Sequence, residues 1–131
     1  MFAGGIVTVF VTNMQRSVRF YTEQLGLKLL QRYEDQFAIV DGGHGLTIGL
    51  HPAVSTVPAT DTKTGMAIGL YLTEPIRHAV TTLKARGITF DEPIVDEANV
   101  GMFAYFNDPD GNSLYVAEMK PELKNDAMGV R

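Results

Sequence analysis

The chain has 131 residues, of which 45% are hydrophobic and 20% charged, enough for one domain with a genuine core. Its formal net charge of -4, with no basic stripe, argues against a nucleic-acid partner. The absence of cysteine excludes disulfides, thiolate metal sites and a cysteine nucleophile, and the apolar run at residues 6–11 is far shorter than a membrane span. We therefore expect a soluble, cytoplasmic protein with neither a nucleic-acid nor a membrane partner.

The first half of the chain predicts one strand, one helix and three further strands. Residues 5–12 are rich in β-branched side chains and predict the first strand. Asn13 is a suitable N-cap for a helix that runs to about Gln24, and Gly26 supplies the positive φ of its C-terminal cap. Alternating apolar residues between turn signals predict the other strands at residues 27–33, 36–40 and 46–51.

The second half repeats this plan after a polar segment. Residues 52–65 are rich in Pro, Ser, Thr and Asp and predict a linker. Residues 66–73 predict a strand, and Pro75 suits the first position of a helix that ends near Arg86 and Gly87. Further short strands are predicted at residues 88–90, 101–106 and 113–118, followed by a polar tail at 119–131.

The same order of elements thus occurs twice, about 60 residues apart. Two copies are too few for a solenoid, which needs at least three repeats to bury a continuous core. The duplication predicts a single α+β domain, residues 1–131, in which two tandem βαβββ modules at about 5–51 and 66–118 share one sheet system and a cleft.

Two motifs carry a resemblance to a known family. Residues 17–29, SVRFYTEQLGLKL, resemble the first-module signature of the vicinal oxygen chelate superfamily, and residues 106–114, FNDPDGNSL, resemble its second-module hairpin. That superfamily includes glyoxalase I, extradiol dioxygenases, fosfomycin-resistance enzymes and bleomycin-binding resistance proteins. The resemblance covers roughly residues 5–118. It implies two tandem βαβββ modules that form a curved, half-open mixed sheet around a central cleft.

The resemblance also implies four metal-ligand positions, two in each module, that are typically His or Glu. By motif spacing they fall on Ile6, Gly49, Ala67 and Tyr115. The first three have no side-chain donor, and a neutral tyrosine is a rare ligand. Even if the strand register slips by two and His51 takes the second position, one histidine cannot hold a catalytic metal. We therefore expect a member of the superfamily that lacks the metal ligands and binds no divalent cofactor.

Residues that share strand parity with those positions should point into the cleft. This face mixes small, hydroxyl-bearing and aromatic side chains, whereas the opposite parity is uniformly apolar and suits packing under the helices. The predicted ligand-binding residues are Thr8, Phe10, Gly49, His51, Gly69, Tyr71, Phe103, Tyr105 and Tyr115. Glycines that leave room and aromatic walls with few polar groups are typical of a ligand pocket, but the same rings could instead fill the cleft.

The leading functional hypothesis is a small-molecule-binding protein of the bleomycin-resistance type, with a metal-free pocket for an aromatic or otherwise flat organic ligand. The alternative is a glyoxalase-like or dioxygenase-like enzyme, in which His51 is catalytic through an atypical metal site or metal-free acid-base chemistry. A structural subunit without a ligand is a third hypothesis. Asp108 and Asp110 resemble a carboxylate pair, but turn formation accounts for both. Exposed strand edges and the superfamily's paired modules also predict a homodimer.

Overall fold

The computed structural model describes residues 1–53, 66–91 and 93–121 and contains two compact units, Met1–Thr60 and Asp61–Arg131. Each unit is a βαβββ-like module with its own open, four-stranded mixed sheet. The predicted α+β class and the two tandem modules are therefore confirmed. Most of the predicted linker and of the predicted tail lies outside the described residues, and the central cleft stays a prediction.

Module one contains four strands and one helix with a π-helical end. The elements are β1 (Val7–Val11), α1 (Met14–Arg19), the π-helical turn (Phe20–Gln24), β2 (Lys28–Tyr33), β3 (Phe37–Gly43) and β4 (Leu46–Pro52). Asn13 caps α1, since its side chain accepts a hydrogen bond from the Arg16 N–H at 3.0 Å. Gly26 has the predicted positive φ, 87°. The sequence did not predict the π-helical turn, in which the Leu25 N–H bonds to the Phe20 carbonyl at 2.8 Å.

The strands of module one lie in the order β1-β4-β3-β2, with β1 parallel to β4 and the other neighbours antiparallel. One face of this sheet is buried together with α1 and the π-helical turn. Its buried strand residues are Val9, Val11, Ala38, Val40, Ile48 and Leu50. Phe20 and Tyr21 are also buried and contact each other edge to face at 5.2 Å, so this motif pair packs the helix as expected.

Module two repeats this topology with the strand order β5-β8-β7-β6. Its elements are β5 (Ala67–Tyr71), α2 (Ile76–Ala85), β6 (Val95–Glu97), β7 (Gly101–Asn107) and β8 (Ser113–Met119). Pro75 is the N-cap residue of α2 and not its first helical residue. The strand predicted at 88–90 is wrong, because only Phe90 forms an isolated bridge, to Phe106. The edge strand is instead the short, polar β6, which carries little apolar periodicity and was not predicted.

Candidate functional site

In both sheets the strand residues alternate between a helix-side face and an open face, as their parity predicted. The helix-side residues of β5 and β8 are buried: Ile68, Leu70, Leu114 and Val116. On the open face, Tyr71 is 42% exposed and Tyr105 is 38% exposed, whereas Phe103 and Ala117 are buried. The residues predicted to bind a ligand therefore lie on the sheet faces that turn away from the helices.

Thr8, Phe10, Gly49 and His51 come together on the open face of module one. In the parallel pairing of β1 with β4, Thr8 lies beside Gly49 and Phe10 lies beside His51. The rings of Phe10 and His51 contact each other edge to face, with their centroids 5.9 Å apart. The sequence predicted empty space next to Gly49, but the side chain of Ile6 fills it. A β-carbon at position 49 would lie 3.0 Å from the Ile6 Cδ1.

His51 is exposed at the end of β4, and its ring is oriented by the main chain. Its Nδ1 donates to the Pro52 carbonyl oxygen at 2.9 Å, so the neutral ring presents an unprotonated Nε2. This arrangement lets His51 accept a hydrogen bond from a ligand.

Module two assembles its five predicted residues into one surface, which we call the tyrosine platform: Gly69, Tyr71, Phe103, Tyr105 and Tyr115. Tyr115 lies at its centre, paired with Gly69 on β5 and with Tyr105 on β7. Its ring centroid lies 5.4 Å from that of Tyr105, at a tilt of 47°, and 5.8 Å from that of Phe103. These are the spacings of attractive aromatic pairs.

The ring of Tyr115 lies directly over Gly69. A β-carbon at position 69 would come within 2.7 Å of the Tyr115 Cε1, and closer still to its Cζ and hydroxyl oxygen. The room that the sequence predicted above Gly69 is therefore taken by a neighbouring ring. Glycine is required here for the close approach of that ring, while its backbone needs no unusual φ.

The environment of Tyr115 keeps its hydroxyl neutral. Burial raises the pKa of Tyr115 above its ordinary 10.0, and the neighbouring phenols of Tyr71 and Tyr105 raise that pKa further. At neutral pH the central hydroxyl of the platform is therefore a hydrogen-bond donor and acceptor, not a phenolate.

The side chains at the four positions that would hold the superfamily's metal cannot together coordinate a metal ion. The pairing registers place Gly49 beside Thr8 and Tyr115 beside Gly69, which are equivalent places in the two modules. Neither Ile6, Gly49 nor Ala67 has a donor atom in its side chain. Across the described parts of the chain, no three His, Cys, Asp or Glu residues are grouped so as to hold a metal ion. No metal-dependent step can be derived from these residues.

Two carboxylates have structural roles that the sequence did not fully reveal. Asp108 is 5% exposed, and its Oδ1 accepts from the Asp110 and Asn112 N–H groups at 2.9 and 2.8 Å. Its Oδ2 accepts from the Asn112 side-chain amide at 2.8 Å, so the turn interpretation of Asp108 holds. Glu118 on β8 accepts from the Ile76 N–H at 2.8 Å and thus caps α2, a long-range role that no sequence pattern signals.

Two surface depressions lie apart from these faces. One, of about 340 Å³, is lined by the start of α1 together with Asp35 and Pro52. The other, of about 300 Å³, lies between α2 and residues that include Phe90 and Ile94. Neither contains a residue that the sequence predicted to bind a ligand.

Comparison with known proteins agrees with this fold. The Glyoxalase/Bleomycin resistance protein/Dioxygenase superfamily profile matches residues 5–116, and the chain belongs to that superfamily. A search of curated protein sequences finds no significant match. No helix within residues 1–53, 66–91 and 93–121 is long and apolar enough to cross a membrane.

Several solved structures share the architecture over nearly the whole chain. A glyoxalase/bleomycin resistance protein/dioxygenase from Nocardioides is 26% identical, with a TM-score of 0.65 over 92% of this chain and 87% of that one. A superfamily member from Sphaerobacter thermophilus DSM 20745 is 23% identical, with a TM-score of 0.70 over 90% and 98%. TnmS3, an antibiotic-binding protein from Streptomyces sp. CB03234, is 23% identical, with a TM-score of 0.69 over 92% and 98%.

Proposed function

We propose that this chain is a small-molecule-binding protein whose aromatic or otherwise flat organic ligand stacks on the tyrosine platform. The observation that carries the proposal is the gathering of four aromatic rings on one sheet face, where Tyr71 and Tyr105 remain substantially exposed and Phe103 is buried. Apolar walls with a few polar tips are the usual make-up of a ligand site.

The geometry of Tyr115 supports stacking. The hydroxyl end of its ring occupies the space that a side chain at position 69 would fill, so the ring is held beside Tyr105 and Phe103 in the middle of the platform. Each good aromatic contact adds roughly 0.5–1.5 kcal/mol beyond area burial. The antibiotic-binding protein TnmS3, which has the same fold, is consistent with a binding function for this architecture.

The open face of module one is proposed as a second ligand-contacting surface, through Thr8, Phe10, Gly49 and His51. Its polar groups are the Thr8 hydroxyl and the Nε2 of His51, and its ring contact is that of Phe10 with His51. This surface binds without a metal in our proposal.

A glyoxalase-like or dioxygenase-like enzyme is the second candidate. The observation that favours it is the exposed His51, whose Nδ1 bonds to the Pro52 carbonyl so that Nε2 is the acceptor of the neutral ring. Elemental analysis of protein purified without chelator separates the binding protein from the metal-dependent form of this enzyme. One equivalent of zinc, nickel, iron or manganese that is lost in His51→Ala would favour the enzyme candidate and contradict the metal-free binding protein.

A homodimer is also proposed. The edge strand β2 exposes two leucine side chains: Leu29 at 40% and Leu30 at 51%. Exposed apolar edges favour association. Light scattering should give twice the chain mass of 14.4 kDa, and a concentration-independent mass of 14.4 kDa would reject the dimer.

A thermal-shift screen with planar aromatics and antibiotics tests the binding proposal. Ligands that stabilise the wild type should lose their effect in Tyr115→Ala and in Gly69→Leu, which forces the Tyr115 ring out of place. Tyr33→Ala, an exposed tyrosine on β2, is the matched control and should keep the effect. Stabilisation that persists unchanged in both platform variants would place the ligand elsewhere.

A further inference from the structure

We infer that the tyrosine platform selects an uncharged ligand, namely an aromatic ring system that bears a hydrogen-bond acceptor such as a ketone or quinone carbonyl, over its carboxylate counterpart. This inference rests on the proposed function and specifies the polar chemistry of the ligand at the same site.

The polar groups of the platform carry no formal charge. Four rows of neighbouring residues cross the open face of module two, as the pairing registers define them, and the outermost, Met119-Gly101-Glu97, ends at a carboxylate. The other three are Tyr71-Ala117-Phe103-Val95, Gly69-Tyr115-Tyr105 and Ala67-Ser113-Asn107. Those three rows contain no charged residue, and none of the four rows of described residues contains Lys, Arg or His, so the face offers no cation to a ligand carboxylate.

The conditions that keep Tyr115 protonated also act on the ligand. Burial disfavours negative charge at the Tyr115 hydroxyl. A ligand carboxylate placed there would lose hydration without gaining a cationic partner. A carbonyl oxygen accepts a hydrogen bond from a neutral phenol and carries no such penalty. The platform should therefore bind the aromatic ketone more tightly than the corresponding aromatic carboxylate.

A cationic ligand provides the informative opposite case. Aromatic ring faces attract ammonium groups, but an ammonium head accepts no hydrogen bond from a phenol. Preference for a cation would therefore assign recognition to the ring faces of Tyr71, Tyr105 and Tyr115 and not to their hydroxyls.

Titration calorimetry with naphthalene and three of its derivatives tests this selectivity. The derivatives are 2-acetylnaphthalene, 2-naphthoate and 2-naphthyltrimethylammonium. We expect 2-acetylnaphthalene to bind about tenfold more tightly than 2-naphthoate, a difference of about 1.4 kcal/mol. The preference should persist at about 0.5 M salt, where long-range repulsion by the acidic protein is screened. Tyr115→Phe should weaken 2-acetylnaphthalene and leave naphthalene unchanged, while Tyr33→Phe should change neither.

The outcomes distinguish this inference from the proposed function. If naphthalene and all its derivatives fail to bind the wild type, or bind Gly69→Leu equally well, the proposed stacking site itself is rejected. If naphthalene binds the platform but 2-naphthoate or the ammonium compound binds as tightly as the ketone, only the selectivity is overturned. The same holds if Tyr115→Phe keeps the full ketone preference.

Discussion

Replacing Gly69 with alanine should push the Tyr115 ring away from the sheet. The new β-carbon would lie 2.7 Å from Cε1, whereas ordinary contact begins near 3.4 Å, so the ring must shift by at least 0.7 Å, the difference between these distances. That shift disturbs the two ring pairs that Tyr115 forms with Phe103 and Tyr105. At about 0.5–1.5 kcal/mol for each pair, the loss amounts to about 1–3 kcal/mol.

A favourable backbone term partly offsets this loss. Within a strand, alanine stabilises the folded state by about 0.5–1 kcal/mol relative to glycine. Subtracted from the loss of about 1–3 kcal/mol, this leaves an expected fall in the free energy of unfolding of about 0.5–2 kcal/mol for Gly69→Ala. In a Tyr115→Ala background the clash is absent, and the same change should stabilise the protein by about 0.5–1 kcal/mol. The two positions should therefore show a coupling energy of about 1–3 kcal/mol.

Urea unfolding of the wild type, the two single variants and the double variant, followed by circular dichroism, measures this coupling. Gly49→Ala is the matched control, because the closest atom to its β-carbon would be the movable Cδ1 of Ile6 at 3.0 Å, and the Thr8 hydroxyl oxygen at 3.4 Å is an ordinary contact. That variant should be nearly neutral. If Gly69→Ala has the same effect in both backgrounds to within about 0.5 kcal/mol, Tyr115 does not lie over Gly69 and the platform geometry is wrong.

Three further predictions follow from the module-two contacts and from Tyr115. Glu118→Ala should lower the free energy of unfolding by about 0.5–2 kcal/mol, because α2 loses the acceptor for its Ile76 N–H. Glu118→Gln keeps a side-chain oxygen as acceptor, so thermal unfolding should show that it retains most of the wild-type stability. Asp108→Ala should cost about 2–4 kcal/mol in urea unfolding, because it leaves buried N–H groups unpaired, and Asp110→Ala, which removes a half-buried side chain, should cost less. Because the pKa of Tyr115 is raised in the folded chain, its contribution to stability is complete below about pH 10 and is lost as the pH rises through the folded pKa. Tyr115→Phe should therefore lose less stability than the wild type above pH 10, and equal losses would contradict the raised pKa.

The sequence predicted the faces of the strands well because strand parity is a local property. Alternation placed Tyr71 and Tyr105 on one face and Ile68 and Leu70 on the other, and their exposure confirms that division. The duplication and the motif turn then sufficed to predict two βαβββ modules. These features depend on neighbours along the chain, which sequence patterns record.

Contacts across strands were less accessible to sequence reasoning. Gly69 looked like open space, but the ring of Tyr115, which lies 46 positions along the chain (115 minus 69), occupies it. No local sequence pattern marks Glu118 as a helix cap, and its hydrogen bond to the start of α2 becomes visible only when β8 and the helix are brought together. Both depend on tertiary proximity, which periodicity alone does not determine.

Magnetic resonance of protein labelled only at tyrosine is the most direct test of the ligand surface. The chain has five tyrosines, of which Tyr71, Tyr105 and Tyr115 belong to the platform. Titration with 2-acetylnaphthalene should shift the ring signals of these three in a saturable manner. The signals of the buried Tyr21 and of the edge-strand Tyr33 should stay in place. Saturable shifts confined to Tyr33, or binding that leaves the three platform signals unmoved, would contradict the assignment of the ligand to this face.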